Sequence, residues 1–283
     1  MGRDRRRGRE ESSVSSDWQE MLDTVCRIAV VAGEAILKVY AEEFDVRHKT
    51  DKTPVTEADL AADRIIAEGL ARLANDVPSL SEERCQLASP PFRGSFFLID
   101  PLDGTKEFVA GRDEFTVNLA LVTAGVPLLG IVSAPALGLL WRGIVGRGAE
   151  RVRFDGTSIG AAEPIRTRKL PGHGEPWVAA VSRSHGDPTS EAFIDRRPNA
   201  VRKTCGSAVK FGRIAEGSAD IYPRFGPTSE WDVGAGCAVV TAAGGKVTDG
   251  KGGEIRFGER GDTGFIIPAF VAWGDAAAVM PTG

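Results

Sequence analysis

The chain is poor in several residue types on which common functional sites depend. It has only four cysteines, Cys26, Cys85, Cys205 and Cys237, widely scattered and without a CxxC pair. That spacing argues against a disulfide framework and suits free thiols in a reducing cytoplasm. The three histidines, His48, His173 and His185, have no close His or Cys partner in sequence, so they are not expected to ligate metal. No apolar run approaches the roughly 18 residues needed to cross a bilayer, so neither a transmembrane helix nor stable membrane insertion is expected. Positive charge is also short. The formal net charge is −4, whereas binding to a nucleic-acid backbone normally demands a basic excess. Any phosphorylated ligand must then be met locally, by metal and a few cations. No internal repeat or low-complexity tract is found. What remains, 42% hydrophobic and 26% charged residues over 283 positions, is an ordinary globular composition.

Residues 1–16 are rich in Arg, Glu and Ser and read as a disordered N-terminal extension. No hydrophobic stretch follows Arg5-Arg6-Arg7, so a signal peptide is not expected. From Trp18 to Tyr40, Leu22, Val25, Ala29, Ala32, Ile36 and Val39 recur at three- and four-residue intervals, the pattern of an amphipathic helix. A second helix starts at Thr56-Glu57-Ala58-Asp59, with Thr56 as cap and Asp59 three residues on. A short strand, Val77 to Leu80, leads into Ser81-Glu82-Glu83. β-rich runs at 115–123, 126–134 and 139–145, separated by Gly and Pro turns, predict an antiparallel meander. A boundary near Glu163-Pro164 divides an α+β half, 17–163, from an α/β half, 164–283, in which strands and helices alternate. The last long helix, Val233 to Ala243, is apolar on every side and should be buried with Asp232 at its start.

The densest chemistry lies between Phe96 and Asn118, FFLIDPLDGTKEFVAGRDEFTVN. Phe96 to Ile99 suits a strand buried on both faces, which Asp100 ends. Pro101 interrupts the ladder, Asp103 adds a second acid, and Gly104 permits a tight turn into a helix starting near Thr105. Two carboxylates, a hydroxyl and a helix N-terminus converge there. Hard divalent cations such as Mg²⁺ take oxygen ligands, commonly one or two carboxylates together with substrate phosphate oxygens. The helix end favours a phosphate.

The string DPLDGTKEF resembles the metal-binding signature of the inositol monophosphatase superfamily. Lys106-Glu107-Phe108 and the following Glu114-Phe115-Thr116-Val117-Asn118 look like its CysQ branch, the 3'(2'),5'-bisphosphate nucleotidases. The resemblance spans about Trp18 to Pro268 and implies a layered α-β-α-β-α sandwich. It implies that Glu82, Asp100 and the Leu102 carbonyl hold one Mg²⁺, and that Asp100, Asp103 and Asp232 hold another, with two or three ions in all. Thr105, partnered by Glu82 or Asp59, is implied to handle the proton of the attacking water. Gly104, Thr105, Arg183, His185, Ser207, Lys210, Arg224 and Asp232 are implied to surround the substrate, with adenosine 3',5'-bisphosphate the preferred one, cleaved at its 3'-phosphate to AMP in the course of sulfate assimilation. Ser207 and Lys210, three apart at a helix start, are positioned to cradle a second phosphate. The nearest alternative is an inositol monophosphatase or another sugar-phosphate phosphatase. A non-catalytic phosphate-ligand binder would mark itself by a missing carboxylate, and none of the four is missing.

Overall fold

The computed structural model describes the backbone of residues 4–41, 47–48, 54–88, 90–183, 186–259 and 264–279. The order is helix α1 (Asp4–Tyr40), a short hairpin of β1 (Arg47–His48) and β2 (Pro54–Val55), α2 (Glu57–Leu73), β3 (Ser79–Ser81), a 3₁₀ turn (Glu82–Leu87), β4 (Ser95–Asp103) and α3 (Thr105–Val109). Then come β5 (Thr116–Thr123), β6 (Val126–Ala134), β7 (Leu139–Ile144), β8 (Gly148–Asp155) and β9 (Ser158–Ile165). The remainder is β10 (Val178–Ser182), α4 (Pro188–Asp195), β11 (Val201–Cys205), α5 (Val209–Ala215), β12 (Ile221–Arg224), β13 (Thr228–Ser229), α6 (Glu230–Ala242), β14 (Lys246–Asp249), β15 (Ile266–Ile267) and β16 (Phe270–Trp273).

Among the described residues, β3 to β9 form one sheet in sequence order, parallel at β3–β4 and antiparallel from β4 onward. This is the expected meander. A second sheet has the order β11-β10-β12-β16-β14, with β10 parallel to both β11 and β12. Period-two alternation divides β4 between two cores. Phe97 and Ile99 pack with α1 and α2, while Phe96 and Leu98 face the layer that holds Phe211 of α5 and Val233 and Val239 of α6. Ala180, Tyr222 and Ala272 of the second sheet close that layer from the far side, and Ala179, Ile221 and Val271 bury its outer face with Ile194 of α4. The result is the α-β-α-β-α sandwich implied by the motif resemblance.

Two expectations differ from what is observed. Helix α1 extends back to Asp4 instead of starting near Trp18, so the backbone of 4–16 is helical; the side chains of 1–16 and the backbone of 1–3 lie outside the described residues. Arg and Glu are good helix formers, and prolonging a helix already anchored by packing avoids the cost of nucleation. The boundary placed at Glu163-Pro164 falls inside β9, and one hydrophobic cluster draws on both sides of it.

Helix α6 approaches the first sheet closely over β6 and β7 because two glycines there leave room for it. A Cβ at Gly130 of β6 would stand 2.3 Å from the Ala235 carbonyl oxygen, and one at Gly143 of β7 would stand 2.7 Å from Ala242 Cβ. Backbone cannot give way as a side-chain tip can. Gly130→Ala is therefore expected to destabilise the protein by about 1–3 kcal/mol, as overpacking typically does. Thermal melting checks this, and a Tm equal to wild type would show that α6 can lift off without cost.

Candidate active site

A one-residue bulge builds the centre. In a regular strand, residues three apart point to opposite faces, so Asp100 and Asp103 would be separated by the sheet. Here Asp100 pairs with Asn118 and Asp103 with Thr116, so three steps on β4 oppose two on β5. The extra residue falls at Pro101-Leu102, where proline has no N–H for the ladder, and it brings both carboxylates to one side. The strand thus runs past Asp100 to Asp103 instead of stopping, as the sequence suggested. Gly104 follows at φ 88°, the left-handed region that glycine enters without penalty, and α3 starts at Thr105.

Asp232 arrives from the start of α6. It is the third residue of a capping box on Ser229, its Oδ2 receiving the Ser229 N–H at 3.2 Å and also the Thr228 hydroxyl. One oxygen on each of Asp100, Asp103 and Asp232 lies within 4.8 Å of the others. Two unit charges at that separation repel by about 3–4 kcal/mol at an effective dielectric of about 20. Burial, with the charges of Glu82, Asp103 and Asp232 added, raises the Asp100 carboxyl well above the usual carboxylate range. Burial and then Asp103 push Asp232 up to about 6. Asp100 Oδ1 accepts the Leu102 N–H at 3.1 Å, while its buried Oδ2 has no hydrogen-bond partner.

Glu82, first residue of the 3₁₀ turn, reaches the same cavity, a space of about 230 Å³ also lined by Leu102, Gly104, Thr105, Ser207, Lys210 and Arg224. Asp59 lies behind it. Its Oδ2 caps α2, receiving the Thr56 N–H at 2.8 Å and the Thr56 hydroxyl at 2.7 Å, while Oδ1 stands 3.4 Å from Thr105 Oγ1. The α2 cap and the Thr105 hydroxyl thus meet different oxygens of one carboxylate.

The substrate-side expectations fare unevenly. Ser207, Lys210 and Arg224 line the cavity, Lys210 being buried with Nζ donating to the Cys205 carbonyl at 3.3 Å and the Ser207 carbonyl at 2.5 Å. Arg183 is not among the lining residues; it is exposed and donates to Glu114 Oε2 at 2.8 Å. His185 lies outside the described residues. Residues given no role from the sequence include Glu114, whose Oε2 also accepts the Gly206 N–H at 2.9 Å, and Asp63. Asp63 accepts the Ser81 hydroxyl at 2.6 Å and Arg84 Nε at 2.8 Å, fixing the strand end from which Glu82 projects. Its position four residues after Asp59, on the same helix face, was the available signal.

The sequence matches the inositol monophosphatase family over residues 17–276. The chain belongs to that family. It is 37% identical over 267 residues to the 3'(2'),5'-bisphosphate nucleotidase CysQ of Buchnera aphidicola, covering 92% of this chain and 96% of the relative. With the protein of the same name from Escherichia coli K12 it shares 39% identity over 258 residues, 88% of this chain and 98% of that one. The crystal structure of CysQ from Bacteroides thetaiotaomicron, described as a bacterial member of the inositol monophosphatase family, superposes with a TM-score of 0.73 at 31% identity, covering 90% of this chain and 97% of that one.

Such a carboxylate set fits a hard cation. Every donor is oxygen, the most buried acid has an oxygen with no hydrogen-bond partner, and the mutual repulsion calls for positive charge between the groups. No helix among the described residues is long and apolar enough to cross a membrane.

Proposed function

We propose that this chain is a cytoplasmic, Mg²⁺-dependent 3'(2'),5'-bisphosphate nucleotidase that hydrolyses the 3'-phosphate of adenosine 3',5'-bisphosphate to AMP and phosphate. The observation that carries this reading is the gathering of Glu82, Asp100, Asp103 and Asp232 from three separate elements around one cavity, with Thr105, whose hydroxyl stands 3.4 Å from Asp59 Oδ1, at its wall. Glu82, Asp100, Asp103, Asp232 and the Leu102 carbonyl would hold two or three ions. When bound, Mg²⁺ neutralises phosphoryl charge, activates water and stabilises the departing alkoxide.

The protein's own groups do the rest. Thr105 Oγ1 has one proton and two acceptors in reach, Asp59 Oδ1 at 3.4 Å and the Leu102 carbonyl at 3.3 Å. If that carbonyl were to hold a cation, Thr105 would pass its proton to Asp59 Oδ1 as Oγ1 takes one from the attacking water. Arg224, whose charge lowers the Asp232 carboxyl against its burial, faces the cavity from β12 and supplies a cation for the second phosphate. Lys106-Glu107-Phe108 and the names of the curated relatives favour the bisphosphonucleotide over an inositol phosphate. Phosphate release measured with Mg²⁺ should give a kcat/KM for adenosine 3',5'-bisphosphate at least about tenfold above that for inositol 1-phosphate, the ratio set by about 1.4 kcal/mol. The reverse preference would overturn the substrate assignment.

A further inference from the structure

Behind Asp103 lies a row of polar side chains whose protons can be counted. Ser207 Oγ donates to Asp103 Oδ2 at 2.6 Å. Thr116 Oγ1 is 2.6 Å from Ser207 Oγ and 2.9 Å from Asn118 Oδ1. Two of these are tied to the acids by register, since Thr116 is the cross-strand partner of Asp103 and Asn118 that of Asp100. Asn118 is 1% exposed and its Nδ2 has no partner.

A hydroxyl has one proton to give. Ser207 gives its own to the Asp103 carboxylate, so the short contact between Thr116 and Ser207 needs the Thr116 proton. Nothing is then left on Thr116 to donate to Asn118 Oδ1. Rotating the Asn118 amide by half a turn resolves the conflict, because its two ends are nearly the same shape and the hydrogen-bond network decides between them. Nδ2 then donates to Thr116 Oγ1, and all three contacts carry a proton.

We propose that Asn118, Thr116 and Ser207 form a directed hydrogen-bond relay, Asn118 Nδ2 to Thr116 Oγ1 to Ser207 Oγ to Asp103 Oδ2, which fixes the Asp103 carboxylate for cation binding. Thr116 and Asn118 are positioning residues in this scheme; neither touches the cation. Each donor in the chain polarises the next, and the last bond, to a carboxylate, is the strongest. The relay also ties the two sheets together at the site. Ser207 sits in the loop between β11 and α5 at φ 51°, a left-handed conformation that costs a non-glycine residue about 1 kcal/mol or more. The relay and the Gly206–Glu114 bond hold it there. Gly104 makes room, since a Cβ on it would come within 3.1 Å of Ser207 Cβ.

This inference rests on the metal-site reading, and the test separates the two. Mn²⁺ binding to the full-length protein is followed by loss of the free-ion electron paramagnetic resonance signal. Groups that orient a metal ligand typically contribute 10- to 100-fold in affinity. Ser207→Ala, Thr116→Val and Asn118→Leu are each expected to weaken Mn²⁺ binding about tenfold, and Thr116→Ser, which restores the hydroxyl, to bind like wild type. The Thr116→Val/Ser207→Ala double variant should lose about tenfold, not about a hundredfold, because both changes break one chain. Wild-type affinity in Ser207→Ala or Thr116→Val, or additive losses in the double variant, would sink the relay. Wild-type affinity in Asn118→Leu would sink the amide orientation. Should Thr116→Val not fold, as judged by circular dichroism, the comparison of Ser207→Ala with wild type decides alone. Absence of Mn²⁺ binding by the wild type would overturn the metal site itself.

Discussion

Asp100→Asn is expected to cut phosphate release by about a thousandfold or more while making the metal-free protein more heat-stable. The loss follows from position: Asp100 is the carboxylate that both cation sites would share, and its buried Oδ2 has no hydrogen-bond partner. Removing a fixed charge from a water-excluded site is worth about 10²–10³ for a single hydrogen-bond donor, and an acid shared by two cations is worth more. The gain in stability follows from the direction of its pKa. A carboxyl raised in the folded state holds its proton more tightly there than in the unfolded chain. The penalty it imposes is absent below the unfolded value near 3.8, grows as pH rises towards the folded value and is fully present above it. Asp232 imposes the same kind of penalty over pH of about 4 to about 6. In chelator at pH 7 the Asn variant should therefore melt above wild type, and added Mg²⁺ should stabilise wild type more than the variant. Undiminished turnover, or a lower Tm in chelator, would contradict this account.

That coupling of activity to instability explains why some of the site was legible in the sequence and some was not. Acids are expensive to bury, so a carboxylate closing an apolar run, as Asp100 does after Phe96 to Ile99, stands out against its neighbours. The capping pattern placed Asp59, and the apolar run from Val233 placed Asp232, at helix starts because such signals are local, and both are third residues of capping boxes. Alternation alone would have put Asp100 and Asp103 on opposite faces. Only the pairing with β5 reveals the bulge that unites them, with Pro101 as its local cause.

Partnerships across the chain were not legible at all. Arg183 is implied by the motif resemblance to lie near the substrate, and Glu114, 69 residues earlier, takes its guanidinium. Lys210 likewise turns its ammonium to the carbonyls of Cys205 and Ser207, because a fully buried charge must find acceptors wherever the backbone offers them. Arg183 was implied by the motif resemblance and Lys210 also by its spacing from Ser207, and neither signal reports which groups the fold brings near. The layered architecture was easier to read, since the apolar periods of α1, β4 and α6 each name the faces they bury.

Thr105→Val should remove the proton acceptor and leave the fold intact, with kcat falling by about 10²–10⁴, the usual worth of a positioned acid or base. Valine matches threonine in shape, and Thr105 is half-buried at the start of a short helix whose cap, Gly104, makes no side-chain hydrogen bond, so Tm should change little. Thr105→Ser keeps the hydroxyl and is expected to retain most of the activity. The Asp59 partner makes a stricter comparison possible. Asp59→Asn preserves an oxygen for the α2 cap but cannot take a proton, so it should lower kcat without a matching loss of stability, and its effect should not multiply with that of Thr105→Val. If the two losses multiply instead, the hydroxyl and the carboxylate act separately, and the acid that receives the proton must be sought at Glu82, which lines the same cavity.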